Sequence, residues 1–255
     1  MLVGAGDIAD CGPGAALTAA LLDRLDGTVF TAGDNAYPAG ARADYQNCYE
    51  PTWGRHRSRT RPAPGNHDYT TPYASAYFEY YGANAGPFGL GYYSYTLGAW
   101  HVISLNSEID VSTGSAQLQW LRADIAANPA RCTAVYWHRP LYSNGNHGGD
   151  PRMQDLWRTI YDLDVDLAIA AHDHVYQRFA PQDASGRIDW ARGIRQFVVG
   201  TGGARAYPIR SISANSEAAA SVLGVVAFTL ESERYSWRFV GVDNTFHDEG
   251  SAACH

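Results

Sequence analysis

The sequence predicts an α/β fold in which two mixed β-sheets pack face to face with helices on their outer faces, a four-layer αββα sandwich. Three features predict it. The first half of the chain alternates short apolar runs with helical patterns, a hairpin then breaks the alternation, and the C-terminal third reads almost entirely as strands. Parallel βαβ units followed by antiparallel strands require mixed sheets, and 255 residues suffice for one continuous core. Residues 1–255 therefore read as a single domain.

Leu2 to Ala5 is a strand-sized run, and Ala15 to Leu25 carries apolar residues at helical spacing. Thr28 to Ala32, β-branched and aromatic, closes a βαβ unit. Helical patterns follow at Ala43 to Trp53 and Ala74 to Tyr81, on either side of a third strand that ends in the Pro-rich stretch Arg61 to Gly65. Tyr92 to Leu97 and Trp100 to Leu105, separated by Gly98 and Ala99, have the lengths and the turn of a hairpin. Beyond it come a helix at Ser115 to Ala127, a strand at Thr133 to Trp137, a helix at Gln154 to Leu163 and a buried strand at Leu167 to Ala171. Ile194 to Val199, Val222 to Leu230 and Tyr235 to Val242 supply the remaining strands. The Gly/Asn-rich segment Ser143 to Asp150 is the longest irregular stretch of the alternating region, the kind of loop that carries function.

Charge and cysteine usage narrow the function. Nineteen basic residues, all arginine, stand against 26 acidic ones for a net charge of -7, which argues against a cationic face for nucleic acid. The apolar runs are strand-sized, far from the roughly 18 residues of a membrane span. Cys11, Cys48, Cys132 and Cys254 are widely spaced, unlike zinc or redox pairs. Their even number, the 17 Tyr and 7 Trp, and the lack of lysine point to a secreted or extracytoplasmic protein, whose signal peptide is expected to have been removed. Four cysteines allow three connectivities, and neighbourhood selects one. Cys11 and Cys48 both lie in loops beyond strand ends, whereas Cys132 opens a strand and Cys254 follows the last one, so the expected bridges are Cys11–Cys48 and Cys132–Cys254.

Five strand ends carry metal-ligand residue types. Asp7 follows the first strand and Asp34 and Tyr37 the second; Asn66, His67 and Asp68 follow the third, His138 follows Thr133 to Trp137, and His172-Asp173-His174 follows Leu167 to Ala171. Each alone is ordinary turn chemistry. Together they converge, because the carboxyl ends of strands in an α/β sheet lie along one edge. His172 and His174, two apart on an extended segment, can reach neighbouring metals.

These five blocks, over roughly residues 1 to 205, resemble the calcineurin-like metallophosphoesterases, and within them the purple acid phosphatases: Gly6-Asp7, Gly33-Asp34-Asn35-Ala36-Tyr37, Gly65-Asn66-His67, His138, and His172-Asp173-His174 followed by Tyr176 and Arg178. The resemblance implies a metallophosphoesterase-like sandwich and a dinuclear centre. Asp7, Asp34, Tyr37 and His174 would bind one ion, while Asp34, Asn66, His138 and His172 would bind the other. Phenolate and carboxylates suit Fe(III), and imidazoles with an amide oxygen suit a divalent Fe, Zn or Mn. The implied activity is hydrolysis of small phosphate monoesters by metal-bound hydroxide, with His67 and His147 binding phosphate and protonating the leaving group. A phosphodiesterase, nucleotide hydrolase or phytase-like enzyme on the same scaffold is the alternative, and a non-enzymatic phosphate-binding protein the remote one. Five further residues are weaker candidates: Asp68 and Asp173 as acceptors for the ligand imidazoles, Tyr176 and Arg178 as packing at the rim, and Arg139 with no role assigned. Two departures stand out: Ala171 replaces the glycine usual before the His-x-His motif, and Gly148 replaces the second of two histidines found in larger members.

Overall fold

The computed structural model describes residues 1–243 and 245–255. Among them no helix is long and apolar enough to cross a membrane. In the first sheet β1 (Leu2–Ala5), β2 (Thr28–Ala32) and β3 (Thr60–Ala63) run parallel. Antiparallel to β1 comes β11 (Gly224–Leu230), followed by β12 (Arg234–Gly241) and β13 (Glu249–Ala253). The second sheet is built from β4 (Tyr93–Leu97), β5 (Trp100–Ser104), β6 (Cys132–Tyr136), β7 (Leu167–Ala170), β8 (Tyr176–Phe179), β9 (Arg195–Val199) and β10 (Ser216–Ala220). Its order is β10-β8-β9-β7-β6-β5-β4, with a parallel centre of β5, β6, β7 and β9 and antiparallel edges.

Period-two alternation divides the strand residues among the layers. Leu2, Phe30, Trp100, Ala134, Tyr136, Leu167, Ile169 and Val226 meet between the sheets. Val3, Val29 and Val225 face α1 (Gly14–Leu22) and α3 (Ser75–Tyr81), while Ile103, Val135 and Ala168 face α4 (Ala116–Ala127) and α5 (Gln154–Asp162). This is the αββα sandwich that the sequence predicts.

Several boundaries move for identifiable reasons. The expected helix at Ala43 to Trp53 resolves into a turn of α2 (Arg42–Asp44), a π-helix at Tyr45–Tyr49 and a 3-10 helix at Trp53–Arg59. Pro51, which lacks an N–H, falls at the break. Ala74 takes a left-handed conformation, so α3 starts at Ser75. Strands β8, β10 and β13 are additional: Ser216–Ala220 and Glu249–Ala253 contain no β-branched or aromatic residue and pair only because neighbouring strands offer them an edge.

Both expected disulfides form. Cys11–Cys48 ties the loop after β1 to the π-helix, and Cys132–Cys254 joins the start of β6 in one sheet to the end of β13 in the other. The second closes 122 residues against 37 for the first, which on the chain-entropy model makes it worth about 1 kcal/mol more. Paired Cys→Ser variants compared by urea unfolding should show this order; an equal or larger loss at Cys11–Cys48 would mean that local packing, not loop closure, sets its worth.

Candidate metal centre

Main-chain hydrogen bonds join four of the five ligand-bearing loops in two pairs, and the loop carrying Asn66 and His67 is tied in by its His67 amide, which donates to the Asp34 side chain. The Asp7 and Ile8 amides donate to the Gly33 and Asp34 carbonyls at 3.0 Å each, the Ala171 amide donates to the His138 carbonyl at 2.9 Å, and the Gly6 amide crosses between sheets to the Val199 carbonyl at 2.9 Å. Asp7, Asp34 and His172 adopt φ values of 58°, 52° and 67°. Left-handed backbone at a non-glycine residue costs about 1–3 kcal/mol, so three such residues at one site mark a place where side-chain direction outranks backbone comfort. Two glycines make room. A Cβ on Gly33, itself at φ +84°, would lie 2.7 Å from the His138 ring, and one on Gly65 would lie 2.3 Å from Asp34 Oδ1. Ala171 is accommodated as well: the left-handed residue is His172, and the Ala171 methyl occupies the space that Gly6, lacking a Cβ, leaves open.

The side chains form two groups that meet at Asp34. In one, the Tyr37 hydroxyl lies 2.9 Å from Asp7 Oδ1, 3.3 Å from Asp34 Oδ2 and 3.2 Å from His174 Nε2. In the other, His138 Nε2 lies 3.1 Å from Asp34 Oδ2, 3.2 Å from Asn66 Oδ1 and 3.2 Å from His172 Nδ1. The far nitrogens are held too: His138 Nδ1 donates to the Ala32 carbonyl and His174 Nδ1 to the Arg205 carbonyl, both at 2.8 Å, which leaves each Nε2 facing the centre. All seven residues singled out as metal ligands thus lie in one continuous cluster.

Its electrostatics are those of a site short of positive charge. Burial opposes the charge on His138, but Asp34 beside it, with Asp7 and Glu108, outweighs burial and raises the imidazole to about 10. Burial would likewise raise Asp7, yet the imidazoles of His174, His138 and His172 hold its carboxyl well below the usual range. Burial, then the charged His138, pushes His172 down to about 2, partly offset by Asp7. Burial and the carboxylates of Asp7 and Asp34 drive the Tyr37 phenol well above its ordinary value. A bound cation would oppose the raised values of His138 and Tyr37 and would reinforce the carboxylate of Asp7 and the neutral ring of His172, so it favours the ligating form of all four.

The two histidines expected at the substrate side are held differently. The His67 amide donates to Asp34 Oδ1 at 2.7 Å, its Nδ1 donates to the Pro38 carbonyl at 2.6 Å, and its ring packs on Tyr37 with centroids 4.3 Å apart. His147, on the exposed Gly/Asn-rich loop, stacks on His172 at 4.6 Å and meets Tyr207 edge-on at 5.3 Å.

Other candidates are corrected by their contacts. Asp68 accepts from the Gly65 amide, the Asn35 side chain and the Tyr45 hydroxyl, and Asp173 from the Ser143 hydroxyl and the amides of His147 and Gly148; neither touches an imidazole. Both organise loops instead. Tyr176 and Arg178 are not at the rim: the Tyr176 ring lies in the layer between the sheets, and both side chains bond Asp248. Arg139, by contrast, does reach the site, donating from Nη1 to His172 Nε2 at 3.0 Å while Glu108 grips its Nε. Sequence reasoning missed Tyr207, which stacks on His174 at 4.1 Å with rings 8° from parallel. No local pattern marks it, since it stands in an irregular segment more than 30 residues beyond the motif.

The chain belongs to the calcineurin-like phosphoesterase family, whose model matches residues 1–176. Purple acid phosphatase 18 of Arabidopsis thaliana is 33% identical over 93 residues, covering 34% of this chain and 21% of the relative. Probable purple acid phosphatase 20 of the same plant is 29% identical over 167 residues, 53% of this chain and 38% of the relative. This chain therefore aligns with less than two fifths of the length of either. Among solved structures, a purple acid phosphatase from yellow lupin (Lupinus luteus) seeds superposes with a TM-score of 0.79 over 99% of this chain and 53% of its own, at 19% identity, a likeness of fold.

The family implies a dinuclear metal centre, and the donors fit one. One atom each from Asp34, His138 and His172 lie within 4.8 Å of one another, and carboxylate, phenol, amide and imidazole are the oxygen and nitrogen donors that such ions take. Because Asp34 has no room behind it, Gly65→Ala should displace its carboxylate and reduce bound metal by at least one ion per chain without altering the far-UV circular dichroism. Full metal content in a folded Gly65→Ala protein would show that Asp34 tolerates displacement.

Proposed function

We propose that residues 1–255 form the catalytic domain of a dinuclear phosphoesterase of the purple acid phosphatase type, hydrolysing small phosphate monoesters. One observation carries the reading: a single carboxylate oxygen, Asp34 Oδ2, lies 3.3 Å from the Tyr37 hydroxyl on one side and 3.1 Å from His138 Nε2 on the other. A carboxylate oxygen between two such donor groups would suit a ligand shared by two ions. Asp7, Tyr37 and His174 would complete one set, suited to Fe(III), and Asn66, His138 and His172 the other, suited to divalent Fe, Zn or Mn. The pair of ions would supply Lewis acidity toward the phosphoryl oxygens and acidify a water that serves as nucleophile.

The chain's own residues would do the rest. Cross-bonded loops fix the donor positions before any ion arrives, and Asp34 carries charge to both sets. His67, with its Nδ1 proton committed to Pro38, presents Nε2 3.9 Å from Asp34 Oδ2, in place to bind a phosphoryl oxygen. The exposed ring of His147, backed by His172, would hold the proton for the departing alkoxide. The two disulfides and the absence of lysine support an oxidising, extracytoplasmic setting.

Metal-replete protein assayed with a chromogenic phosphate monoester and the matching diester tests the reading: faster turnover of the monoester is expected, and turnover of neither rejects catalysis. Iron-loaded protein should show a visible charge-transfer band that Tyr37→Phe abolishes, and Asp34→Asn should lower activity by at least about 100-fold, more than Asn66→Ala or His172→Ala. A band that survives Tyr37→Phe removes the tyrosine from the ligand set.

The two histidines should separate by leaving group. His147→Ala should slow an alkyl phosphate by about 10²–10⁴ and an activated aryl phosphate far less, because a good leaving group scarcely needs the proton. His67→Ala should slow both alike. Parent rates for both esters in His147→Ala would make that loop mere surface.

A further inference from the structure

Between His172 and His174 stands a fully buried carboxylate that serves neither imidazole. Asp173 Oδ1 accepts the His147 amide at 2.8 Å, and Oδ2 accepts the Gly148 amide at 3.0 Å together with the Ser143 hydroxyl. Ser143 Oγ in turn accepts from the Gly145 amide at 3.1 Å and from Gln177 Nε2 at 2.9 Å. Gly145 itself lies so close that a Cβ there would come within 2.4 Å of Asp173 Cγ. The segment 143–148 is thus wrapped around one carboxylate.

Among the described residues, the backbone at the histidine end of this loop has no other anchor than this carboxylate at His147 and Gly148, while its side chains are held by packing of His147 on His172 and Tyr207 and by Arg210, whose Nε donates to Asn146 Oδ1 at 3.0 Å. Asn146 and His147 are exposed, and the flanking glycines, with Gly148 at φ +72°, give the backbone wide freedom. The other end has its own anchor: the Asn144 amide donates to Gln177 Oε1 at 2.8 Å, and its carbonyl accepts the Arg210 amide at 2.9 Å. Loss of the carboxylate would therefore release the His147 and Gly148 amides and leave the rest of the loop attached.

We propose that Asp173 is the positioning residue for His147, fixing the proton-donating ring over the site through the His147 and Gly148 amides. This rests on the acid role given to His147 above. The chain of contact is short: the residue between the two expected ligands of the His-x-His motif places the third histidine, so the metal-side turn and the substrate-side loop meet at one carboxylate. The lone histidine beside Gly148 makes the placement matter more, since no neighbour stands in for it.

The test uses Asp173→Asn, which keeps the shape but turns one acceptor into a donor, and Gly145→Ala, which crowds the loop off an intact carboxylate. Hydrogen exchange by NMR on metal-free protein is the first readout: in both variants the His147 and Gly148 amides should exchange at least about tenfold faster, while helix α5 is unchanged. With metal content verified, both variants should reproduce the His147→Ala pattern, slow on alkyl phosphate and near parent on aryl phosphate. Adding Asp173→Asn to His147→Ala should cause no further loss. Unchanged exchange at the two amides overturns the proposal, as does multiplication of the two losses in the double variant. If His147→Ala shows the leaving-group effect and Asp173→Asn does not, positioning by Asp173 fails alone. If His147→Ala shows none, the acid role fails and takes this inference with it.

Discussion

The carboxylate of Asp34 sets the terms on which the surrounding loops fold. Its backbone is left-handed, its Oδ1 receives the His67 amide, and its Oδ2 touches both Tyr37 and His138, so it is gripped from two other loops and from within its own. Gly65 and Gly33 exist at that spot because any larger residue would push on Asp34 or on the His138 ring. The parallel register of β1, β2 and β3 brings the loops to a common edge, but the conformation each loop then takes is answerable to this one side chain.

Around it the molecule uses two styles of construction. Groups deep in the centre are fixed by rigid hydrogen bonds that the ring nitrogens donate to main-chain carbonyls, as at His138 and His174. Groups at the mouth rest on face-to-face and edge-to-face packing of rings, His147 on His172 and Tyr207 on His174. The first style tolerates little displacement; the second lets a ring slide while staying in contact.

How much of this could be read in the sequence depended on the range of the signal. The central strands were legible because they are short, nearly continuous apolar runs, and the seven clustered side chains because each stands within a few residues of the end of such a strand. Strands Ser216–Ala220 and Glu249–Ala253 were not, since their pairing is imposed by neighbours and their composition is silent. The hydrogen-bond partners of Asp68 and Asp173 were misjudged for a related reason: a carboxylate beside a histidine in sequence need not face it, and both turn toward backbone amides that the loops bring round. Tyr207 carries no sequence mark at all, because only the return of the chain from β9 sets it against His174.

Strand β6 begins at Cys132, and His138 stands two residues beyond its end at Tyr136. At its first residue the disulfide to Cys254 fastens the second sheet to the first; just past its last, His138 reaches across to the Ala32 carbonyl and to Asp34 of the first sheet. The two sheets are therefore riveted at opposite poles of the same strand, by a covalent bond at one and a polar cluster at the other. Opening either pole leaves the sheets as leaves of a book bound along the opposite edge, so exposure of the interior at one end does not release the other.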